Sequence, residues 1–354
     1  MRLLHKIRSY YKIAYTMDHF PSITKLLLTN KKIFAYYGFL GDGNFGDELV
    51  FESCKKLFNP HILVPLRKRM PLSMILFTRI FKNRFSGIVI GGGTLFNRYL
   101  EKKYFDGLLK LNKPVYLHGT GVSKNIDQGD GWKKLLSGNI YGGVRGPLTK
   151  NYLEKIGFNG KITGDAAFAM FESPLIYKAQ NGKKNVLINL GTHKSYDGNS
   201  NSRNEIKKFI KVLISHGYNV QFLPMHQIDY KLGLEYRILF PEMELLDIPA
   251  NYIEGVKHFE RSLFAIGERL HFIVTAIMSG CSFLSINYAS KHEDLLKSVN
   301  LSHKGIRPDD VSFELIMKNF ENGNGIDWNN VNQNIFNLKN IQADQLSQFI
   351  SQVG

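Results

Sequence analysis

Arg269 and His271, two positions apart, could combine anion binding with proton transfer. A guanidinium binds phosphate or carboxylate through paired hydrogen bonds, and a histidine gives or takes a proton near neutral pH. The pair follows the apolar run SLFAIG and opens an apolar helical pattern that Gly280 ends. A helix N-terminus, which favours anions, would lie at the same point. A lone histidine on an apolar helix is usually a core residue, but the neighbouring arginine favours an anion site with a titratable group.

The stretch GDGNFGDE, residues 41–48, matches the dinucleotide-binding template G-x-G-x-x-G. In that template a pyrophosphate lies on the N–H groups of a helix N-terminus. Here Asp42, Asp47 and Glu48 would compete with a phosphate for those groups. The next apolar run, HILVPL, leads into the basic residues 67–69, where the template expects an acidic residue for a ribose hydroxyl. A 2′-phosphate cofactor would suit that basic end, so the dinucleotide interpretation is weakened without being excluded. Taken alone, Asp47 could simply cap a helix.

Other candidates follow predicted strands, because ligands of open parallel sheets bind beyond the carboxyl ends of the strands. Arg145 lies between a strand of small residues and a Gly-Pro helix start, a setting that a surface arginine explains poorly. A glycine run alone is a weak signal. The remaining candidates at strand ends are Asn44, Gly46, Gly92, Gly93, Thr94, Asp165, His226 and Tyr288.

Short apolar runs that alternate with helical patterns position these residues. Runs in the first half predict six strands: KIFAYYGF, HILVPL, GIVIGG, PVYLHG, IYGGV and KITGD. Runs in the second half predict four more, NVLINLG, NVQFLP, LFAIG and FLSINY, with PEMELLDI as a candidate fifth. Such alternation indicates parallel sheets with crossover helices. The sequence therefore predicts an α/β protein with two Rossmann-like domains whose parallel sheets face a central cleft.

The domain boundaries follow from a break in this pattern. The chain of 354 residues, 44% hydrophobic, is long enough for two domains. The pattern restarts after a Lys/Asn/Gly-rich linker near 173–185. We expect a basic amphipathic N-terminal segment at 1–32, Rossmann-like domains at 33–175 and 185–325, and a helical, polar C-terminal tail at 326–354 that packs on the surface.

Cysteine usage and hydropathy predict a cytoplasmic protein. Cys54 and Cys281 have neither a C-x-x-C nor a zinc-ligand spacing, which indicates core thiols in a reducing compartment and no metal site. The N-terminal residues lack the apolar stretch and cleavage site of a signal peptide. The longest uncharged stretch, residues 272–290, is broken by Gly280 and predicts a buried helix, a turn and a strand in place of a membrane span.

The net charge of +16 predicts an acidic partner. The excess is concentrated in MRLLHKIRSYYKIAY and in residues 66–85, where six basic residues and no acid are interleaved with Met, Leu, Ile and Phe. Such segments are typical of the membrane interface, so contact with a membrane through 1–32 and 66–85 is one interpretation. A basic helix face packed on the core is an equal alternative. Nucleic acid is not expected, because no helix-turn-helix, zinc or RNA-recognition signature accompanies the charge. The oligomeric state stays open.

Several motifs follow one another along residues 34–291. They are N-x-G-D-E at 44–48, GGGTLF at 91–96, VRGPLT at 144–149, Gly164-Asp165, and R-x-H at 269–271 followed by A…SG and I-N-Y-x-x-K, which ends at Lys291. Their order and spacing resemble the polysaccharide pyruvyl transferase family. The match to the triple-glycine template is then incidental, and Asn44, Gly46 and Asp47 are the meaningful positions of that loop.

The resemblance implies transfer of a pyruvyl group from phosphoenolpyruvate to two hydroxyls of a sugar, giving a cyclic ketal and phosphate. It also implies a fold similar to the two-domain GT-B glycosyltransferases. His271 would be the general acid or base, and Asp47 would orient or deprotonate the acceptor hydroxyl. Arg269 and Arg145 would hold the donor, while Tyr288 and Lys291 are weaker substrate contacts. No cofactor or metal is expected, and the acceptor could be a lipid-linked oligosaccharide at the cytoplasmic face of the membrane.

Three alternatives remain. A GT-B glycosyltransferase that uses a nucleotide sugar would share the architecture, and Asp229 or Glu293 could supply the carboxylate for its donor ribose. A non-catalytic, membrane-associated relative would keep the fold without the chemistry. An NADP-dependent enzyme is the least favoured, because of the acidic residues in the glycine-rich loop.

Overall fold

The chain divides into two units, each built on its own sheet. The computed structural model describes residues 20–66, 82–97, 111–122, 130–172, 184–191, 200–321 and 325–353. Of these, the residues within 1–42, 47–171 and 335–354 form the first unit, and those within 43–46 and 172–334 form the second. Much of the predicted linker, the N-terminal residues 1–19 and the basic residues 67–81 lie outside the described residues.

The sheet of the first unit is parallel throughout the part of the chain described. Its order is β2-β1-β3-β5-β6-β7, with β4 beside β5. The strands are β1 (Ile33–Tyr37), β2 (Ile62–Pro65), β3 (Phe85–Ile90), β4 (Gly93–Phe96), β5 (Val115–Val122), β6 (Ile140–Val144) and β7 (Lys161–Ile162). The six strands predicted for the first half are confirmed. The sequence did not predict β4, because four residues that begin in a glycine run are too short to show a strand period.

Helices cover this sheet, and every residue of β1 is buried, as expected for a parallel sheet covered on both faces. The helices are α1 (Ile23–Leu28), α2 (Phe45–Phe58), α3 (Asp130–Leu136) and α4 (Pro147–Glu154), with 3-10 turns at Lys82–Arg84 and Ala166–Met170. Helix α4 begins with Pro147 after an extended Gly146, which confirms the predicted Gly-Pro helix start.

The C-terminal helix α11 (Trp328–Gln352) completes the core of the first unit. Phe349 is fully buried, with ring centroids 5.4 Å from Phe34 and 5.5 Å from Tyr116. A Cβ at Gly87 would lie 2.5 Å from the Phe349 ring, so the helix sits directly on β3. The sequence predicted a separate tail at 326–354 that packs on the surface, but residues from 335 onward belong to the first unit. The helix is polar on average, so its sequence did not reveal the apolar face that contacts the core.

The second unit contains another parallel sheet, in the order β10-β9-β8-β11-β12-β13. The strands are β8 (Asn185–Asn189), β9 (Asn219–Phe222), β10 (Glu244–Leu245), β11 (Ser262–Gly267), β12 (Ser282–Ile286) and β13 (Gly305–Ile306). The four predicted strands and the candidate in PEMELLDI are confirmed. Strand β13 was not predicted, because two residues carry no periodic pattern.

The helices of the second unit are α5 (Ser200–Ser215), α6 (Gln227–Leu239), α7 (Tyr252–Glu260), α8 (Leu270–Ser279), α9 (Ser290–Ser298) and α10 (Phe313–Glu321). Short 3-10 turns lie at Ser302–Lys304 and Pro308–Asp310. The pattern over 272–290 is confirmed as a buried helix, a turn and a strand. Helix α8 ends at Gly280, whose φ of 68° is the left-handed conformation that glycine adopts most easily.

Two further expectations concern burial and hydropathy. Cys54 and Cys281 are both buried free thiols, which confirms the prediction of core cysteines. Within the described ranges, the helices are too short or too polar to cross a membrane. The architecture is therefore α/β with two parallel sheets, as the sequence predicted.

Candidate functional site

Arg269 lies in the turn between β11 and α8, and His271 lies in the first turn of α8, at the carboxyl end of a central strand. Asn189, at the end of the neighbouring strand β8, shapes this turn. Its Oδ1 accepts the Arg269 N–H at 3.0 Å, and its backbone oxygen accepts the Glu268 N–H at 3.1 Å. One amide residue therefore fixes where the chain leaves the sheet and enters the helix.

Asp229 holds the guanidinium of Arg269. Arg269 Nε lies 3.1 and 3.0 Å from the two carboxylate oxygens, and Nη2 also donates to Oδ1. Asp229 is fully buried in the first turn of α6, and its Oδ2 also accepts the Met225 N–H at 3.2 Å. Burial alone would lower the pKa of Arg269, but Asp229 raises it above its ordinary value. The arginine is thus a fixed cation whose side chain keeps 19% of its surface exposed.

A second buried carboxylate, that of Glu268, directly precedes Arg269 in the chain and binds the backbone of Gly191. Glu268 Oε2 accepts the Gly191 N–H at 2.7 Å, while Arg203 Nη2 donates to the Gly191 oxygen at 2.7 Å and to Glu268 Oε2 at 3.3 Å. A Cβ at Gly191 would lie 2.9 Å from Arg269 Nε, so the Gly191 backbone packs against the guanidinium. Burial raises the pKa of Glu268 to about 7, although Arg203 acts in the opposite direction.

His271 packs against the backbone of Gly46. A Cβ at Gly46 would lie 2.0 Å from His271 Nδ1 and 2.4 Å from its Cγ, so no side chain fits there. The glycine is held by the loop before it, because Asn44 Oδ1 accepts the Gly46 N–H at 3.1 Å. Residues 43–46 belong to the second unit, where Phe45 N–H donates to the Met225 oxygen at 2.9 Å. The structure thus brings the N-x-G and R-x-H motifs together.

His226 joins the same loop to helix α6. It pairs with Asn44 in an antiparallel bridge, and its Nδ1 accepts the Ile228 N–H at 3.0 Å as the N-cap of α6. An accepting Nδ1 places the proton of a neutral ring on Nε2. The predicted substrate contact therefore has a capping role that positions the start of the helix carrying Asp229.

Tyr288 and Lys291, from the I-N-Y-x-x-K motif, lie beside this turn. The Tyr288 ring centroid is 4.8 Å from Lys291 Nζ and 4.9 Å from the His292 ring. His292 Nε2 donates to the Glu268 backbone oxygen at 2.8 Å. Tyr288 is one of the neighbours that raise the pKa of Arg269, after the larger effect of Asp229. The motif after β12 and the motif after β11 therefore form one neighbourhood.

The predicted residues of the first unit have different surroundings. Arg145 is fully buried, its N–H donates to the Thr120 oxygen at 3.0 Å, and a Cβ at Gly121 would lie 2.1 Å from its Nη2. This burial excludes the alternative of a surface arginine. Asp165 is also fully buried, and its Oδ1 accepts the Ala167 N–H at 3.0 Å, which caps the 3-10 turn.

Internal packing explains part of the glycine run. A Cβ at Gly91 would lie 2.4 Å from the Tyr36 hydroxyl oxygen, and one at Gly92 would lie 2.8 Å from the Ala166 Cβ. Gly93 has a φ of 86°, and Thr94 after it is partly exposed. These glycines therefore allow close packing of the first unit, in addition to any contact with a ligand.

The acidic residues of the loop GDGNFGDE, which are Asp42, Asp47 and Glu48, belong to the first unit. Glu48 Oε1 accepts the Gly41 N–H at 2.8 Å, so the protein's own carboxylate occupies an N–H group that a pyrophosphate would need. Asp47 is half-buried in the first turn of α2. Asn44 Oδ1 accepts the Gly46 N–H at the helix start.

The structure thus separates the predicted site residues into two groups. The second unit brings together Asn44, Gly46, His226, Arg269, His271, Tyr288 and Lys291. The first unit contains Asp47, Gly92, Gly93, Thr94, Arg145 and Asp165. The described ranges contain no group of three or more His, Cys, Asp or Glu side chains arranged to hold a metal ion.

Sequence reasoning did not select Asn189, Arg203, Asp229 or Glu268 as parts of the site. Asn189 and Glu268 follow predicted strands, so their positions were a usable signal. Asp229, in the first turn of α6, was considered as the ribose carboxylate of a glycosyltransferase and not as a partner of Arg269. Arg203 lies in the first turn of α5, where a cation opposes the helix dipole, and that unfavourable position is the signal that could have found it.

Comparisons with known proteins identify the family and the fold. The family model described as polysaccharide pyruvyl transferase matches residues 44–290. No curated protein gives a significant match to the chain. Among solved structures, the UDP-GlcNAc 2-epimerase from Methanocaldococcus jannaschii aligns with a TM-score of 0.59 at 13% identity, covering 91% of this chain and 100% of that chain.

Two related structures give the same result. The UDP-GlcNAc 2-epimerase from Neisseria meningitidis bound to UDP-GlcNAc has a TM-score of 0.58 at 11% identity, covering 90% of this chain and 100% of that chain. The enzyme from Rickettsia bellii has a TM-score of 0.58 at 12% identity, with coverage of 91% and 96%. At this identity the similarity shows the fold alone, which is GT-B-like.

Proposed function

The chain belongs to the polysaccharide pyruvyl transferase family, and we propose that it transfers a pyruvyl group from phosphoenolpyruvate to two hydroxyls of a sugar. The product is a cyclic ketal of a cell-surface polysaccharide or its precursor, and phosphate is released. The observation that carries the proposal is the packing of His271 on Gly46 beside Arg269, whose guanidinium Asp229 holds. A proton donor and an oriented cation then lie at the start of one helix.

Phosphoenolpyruvate suits this arrangement because it carries a carboxylate and a phosphate on three carbons. Arg269 keeps part of its guanidinium exposed after pairing with Asp229, so it offers hydrogen bonds in a fixed direction. Helix α8 is ten residues long, and its N-terminal N–H groups favour an anion at the same place. We assign one acidic group of the donor to Arg269 and the other to the N-terminal N–H groups of α8.

The proposed chemistry begins with proton transfer from a protonated His271 to the methylene carbon of phosphoenolpyruvate. The electrons of the C=C bond form the new C–H bond, and the central carbon gains oxocarbenium character. The first sugar hydroxyl attacks this carbon, and Asp47 accepts its proton. The C–O bond to phosphate then breaks, and the leaving phosphate takes the electron pair and the proton held by Asp47. Attack by the second hydroxyl closes the ketal, and its proton returns to His271.

Ligand-dependent thermal stability tests the donor directly. The purified protein is melted with phosphoenolpyruvate, with a panel of nucleotide sugars that includes UDP-GlcNAc, and with NADPH. A ligand at a hundred times its dissociation constant adds about 2.7 kcal/mol to the native state. Stabilisation by phosphoenolpyruvate alone supports pyruvyl transfer. Stabilisation only by a nucleotide sugar overturns it in favour of glycosyl transfer, and stabilisation by none favours a non-catalytic relative.

Two variants separate binding from chemistry. Arg269→Ala should weaken phosphoenolpyruvate binding by about 2–5 kcal/mol. His271→Ala should spare binding and lower turnover by about 10²–10⁴-fold. Arg237→Ala, which removes an exposed arginine of α6, is the matched control. Turnover is measured as phosphate release over a panel of acceptor sugars, with product mass increased by pyruvate less one water. Equal loss of binding in both variants would make His271 a ligand contact and remove it as the acid.

A further inference from the structure

Helix α1 presents two leucines to solvent. Leu27 is 55% exposed and Leu28 is 79% exposed. Leu26, the residue before them, is fully buried in the core of the first unit. The start of the helix is capped, because Ser22 Oγ accepts the Lys25 N–H at 3.2 Å. The helix is therefore anchored by one side and leaves two adjacent large apolar side chains uncovered.

Arg84 anchors the other end of α1. Its Nη2 lies 3.1 Å from the Leu26 oxygen and 3.2 Å from the Thr29 oxygen, so it satisfies carbonyls that a helix end leaves without partners. Arg84 belongs to the 3-10 turn that precedes β3. We call the exposed basic residues and leucines of this helix, of the turn and of the chain just after α1 the α1 surface, defined as Lys25, Leu27, Leu28, Lys31, Lys82 and Arg84.

Positive charge without acid surrounds the exposed leucines in the sequence. No acidic residue occurs between Asp18 and Asp42, and none occurs between Glu52 and Glu101. The α1 surface draws its residues from these two acid-free stretches, in a chain of net charge +16. Its charge is therefore not compensated by acidic neighbours in sequence, as it would be on an ordinary solvated face.

We propose that the α1 surface docks on a membrane surface rich in anionic lipid. The leucines would enter the boundary between headgroups and acyl chains, and the lysines and Arg84 would lie at the level of the lipid phosphates. Nucleic acid shares the charge requirement but gains little from aliphatic leucines, since its bases stack on aromatic groups. This inference does not depend on the proposed function, because lipid binding and pyruvyl transfer have separate readouts.

Flotation of the full-length protein with lipid vesicles tests the proposal. Vesicles of phosphatidylcholine with and without phosphatidylglycerol are compared at low and high salt. The wild type should bind the anionic vesicles, bind the neutral ones weakly, and lose affinity as salt screens the charges. Leu27→Ser with Leu28→Ser should lower the affinity at least tenfold. Lys25→Gln with Lys31→Gln should lower it several-fold and flatten the salt dependence.

The second unit supplies a matched control. Ile238→Ser with Leu239→Ser removes an equally exposed apolar pair from α6 and should bind vesicles like the wild type. The proposal is overturned if the leucine variant binds like the wild type, or if the control pair loses as much affinity. It is also overturned if the leucine variant changes only the sedimentation coefficient, because the α1 surface would then contact a second copy of the chain. Melting temperatures of all variants check that each remains folded.

Discussion

The ring of His271 lies directly on the backbone of Gly46, so closely that a Cβ at Gly46 would be 2.0 Å from His271 Nδ1. The two residues are far apart in sequence and belong to different motifs. The contact explains why the N-x-G motif needs glycine at its third position, and it ties the orientation of His271 to the loop of residues 43–46. In the proposed reaction, this loop sets the direction of proton transfer.

Gly46→Ala should therefore displace His271 without unfolding the protein. The added methyl group cannot coexist with the present ring position, so either the loop or the imidazole must move. We expect turnover to fall by about 10²-fold, since a misplaced catalytic group costs this much, while phosphoenolpyruvate still stabilises the protein. The measurement is phosphate release together with the thermal shift given by the donor.

The control for this variant is Gly138→Ala, an exposed glycine whose added Cβ would meet a backbone oxygen only at 3.5 Å. It should have wild-type turnover. If Gly46→Ala keeps full turnover while its melting temperature is unchanged, the ring position is not critical and His271 does not act through this geometry.

Arg269 and Asp229 should behave as one coupled pair. Removing either partner leaves a buried charge without compensation, so Arg269→Ala and Asp229→Ala should each destabilise the second unit by about 3 kcal/mol. The double variant should be more stable than the sum of the single losses predicts, by about 0.5–3 kcal/mol. Asp229→Ala should also weaken phosphoenolpyruvate binding, although it removes a negative charge, because Arg269 loses its orientation. Additive losses in urea unfolding would contradict the coupling.

Much of the fold was predictable because it depends on local pattern. The runs that became β1, β3 and β11 are continuous and apolar, as buried parallel strands require, and Gly280 marked the end of α8. Strands β4 and β13 were not predicted, because two to four residues are too few to show the alternating pattern of a strand. The place of the C-terminal helix depended on Phe349 reaching the core, a long-range contact that average polarity does not reveal.

Part of the candidate site was also predictable from the sequence. Arg269 and His271 could be selected because they follow a strand and open a helix, where ligand-binding residues concentrate. Their partners could not be selected in the same way. Pairing of Asp229 with Arg269, and of Arg203 with Gly191 and Glu268, depends on how separate helices pack on one sheet. Such contacts between separate segments cannot be inferred from residue type and spacing within one motif.

Phe349→Ala should destabilise the first unit, although Phe349 is close to the C-terminus. The side chain is fully buried among aromatic rings, and loss of such a group costs about 3–5 kcal/mol. The two tryptophans allow each unit to be followed separately, because Trp132 belongs to the first unit and Trp328 to the second. Urea unfolding of the first unit is monitored by Trp132 fluorescence in a Trp328→Phe background.

Phe336→Ala on the same helix is the control, because that ring is more than half exposed. It should change the free energy of unfolding by less than about 0.5 kcal/mol. A similar small loss for Phe349→Ala would mean that the C-terminal helix contributes little to the core of the first unit.

Glu268 should make the stability of the second unit depend on pH. Burial raises the pKa of Glu268 to about 7 from an ordinary value of 4.5. Between these values the folded protein holds a proton that the unfolded chain has released, so its stability falls as pH rises. The contribution is fully present below pH 4.5 and is lost as pH passes 7. The difference between the two pKa values corresponds to about 3 kcal/mol.

Glu268→Gln removes this titration and keeps an oxygen that can accept the Gly191 N–H. We expect the stability of the wild type, relative to the variant, to decline by about 3 kcal/mol between pH 4.5 and pH 8. The measurement is urea unfolding over this range, monitored by Trp328 fluorescence in a Trp132→Phe background. Glu242→Gln, an exposed carboxylate of the same unit, should leave the profile of the wild type unchanged. Parallel profiles for the wild type and Glu268→Gln would show that Arg203 and the Gly191 N–H keep Glu268 ionised, so that the buried cluster carries the same charge at every pH tested.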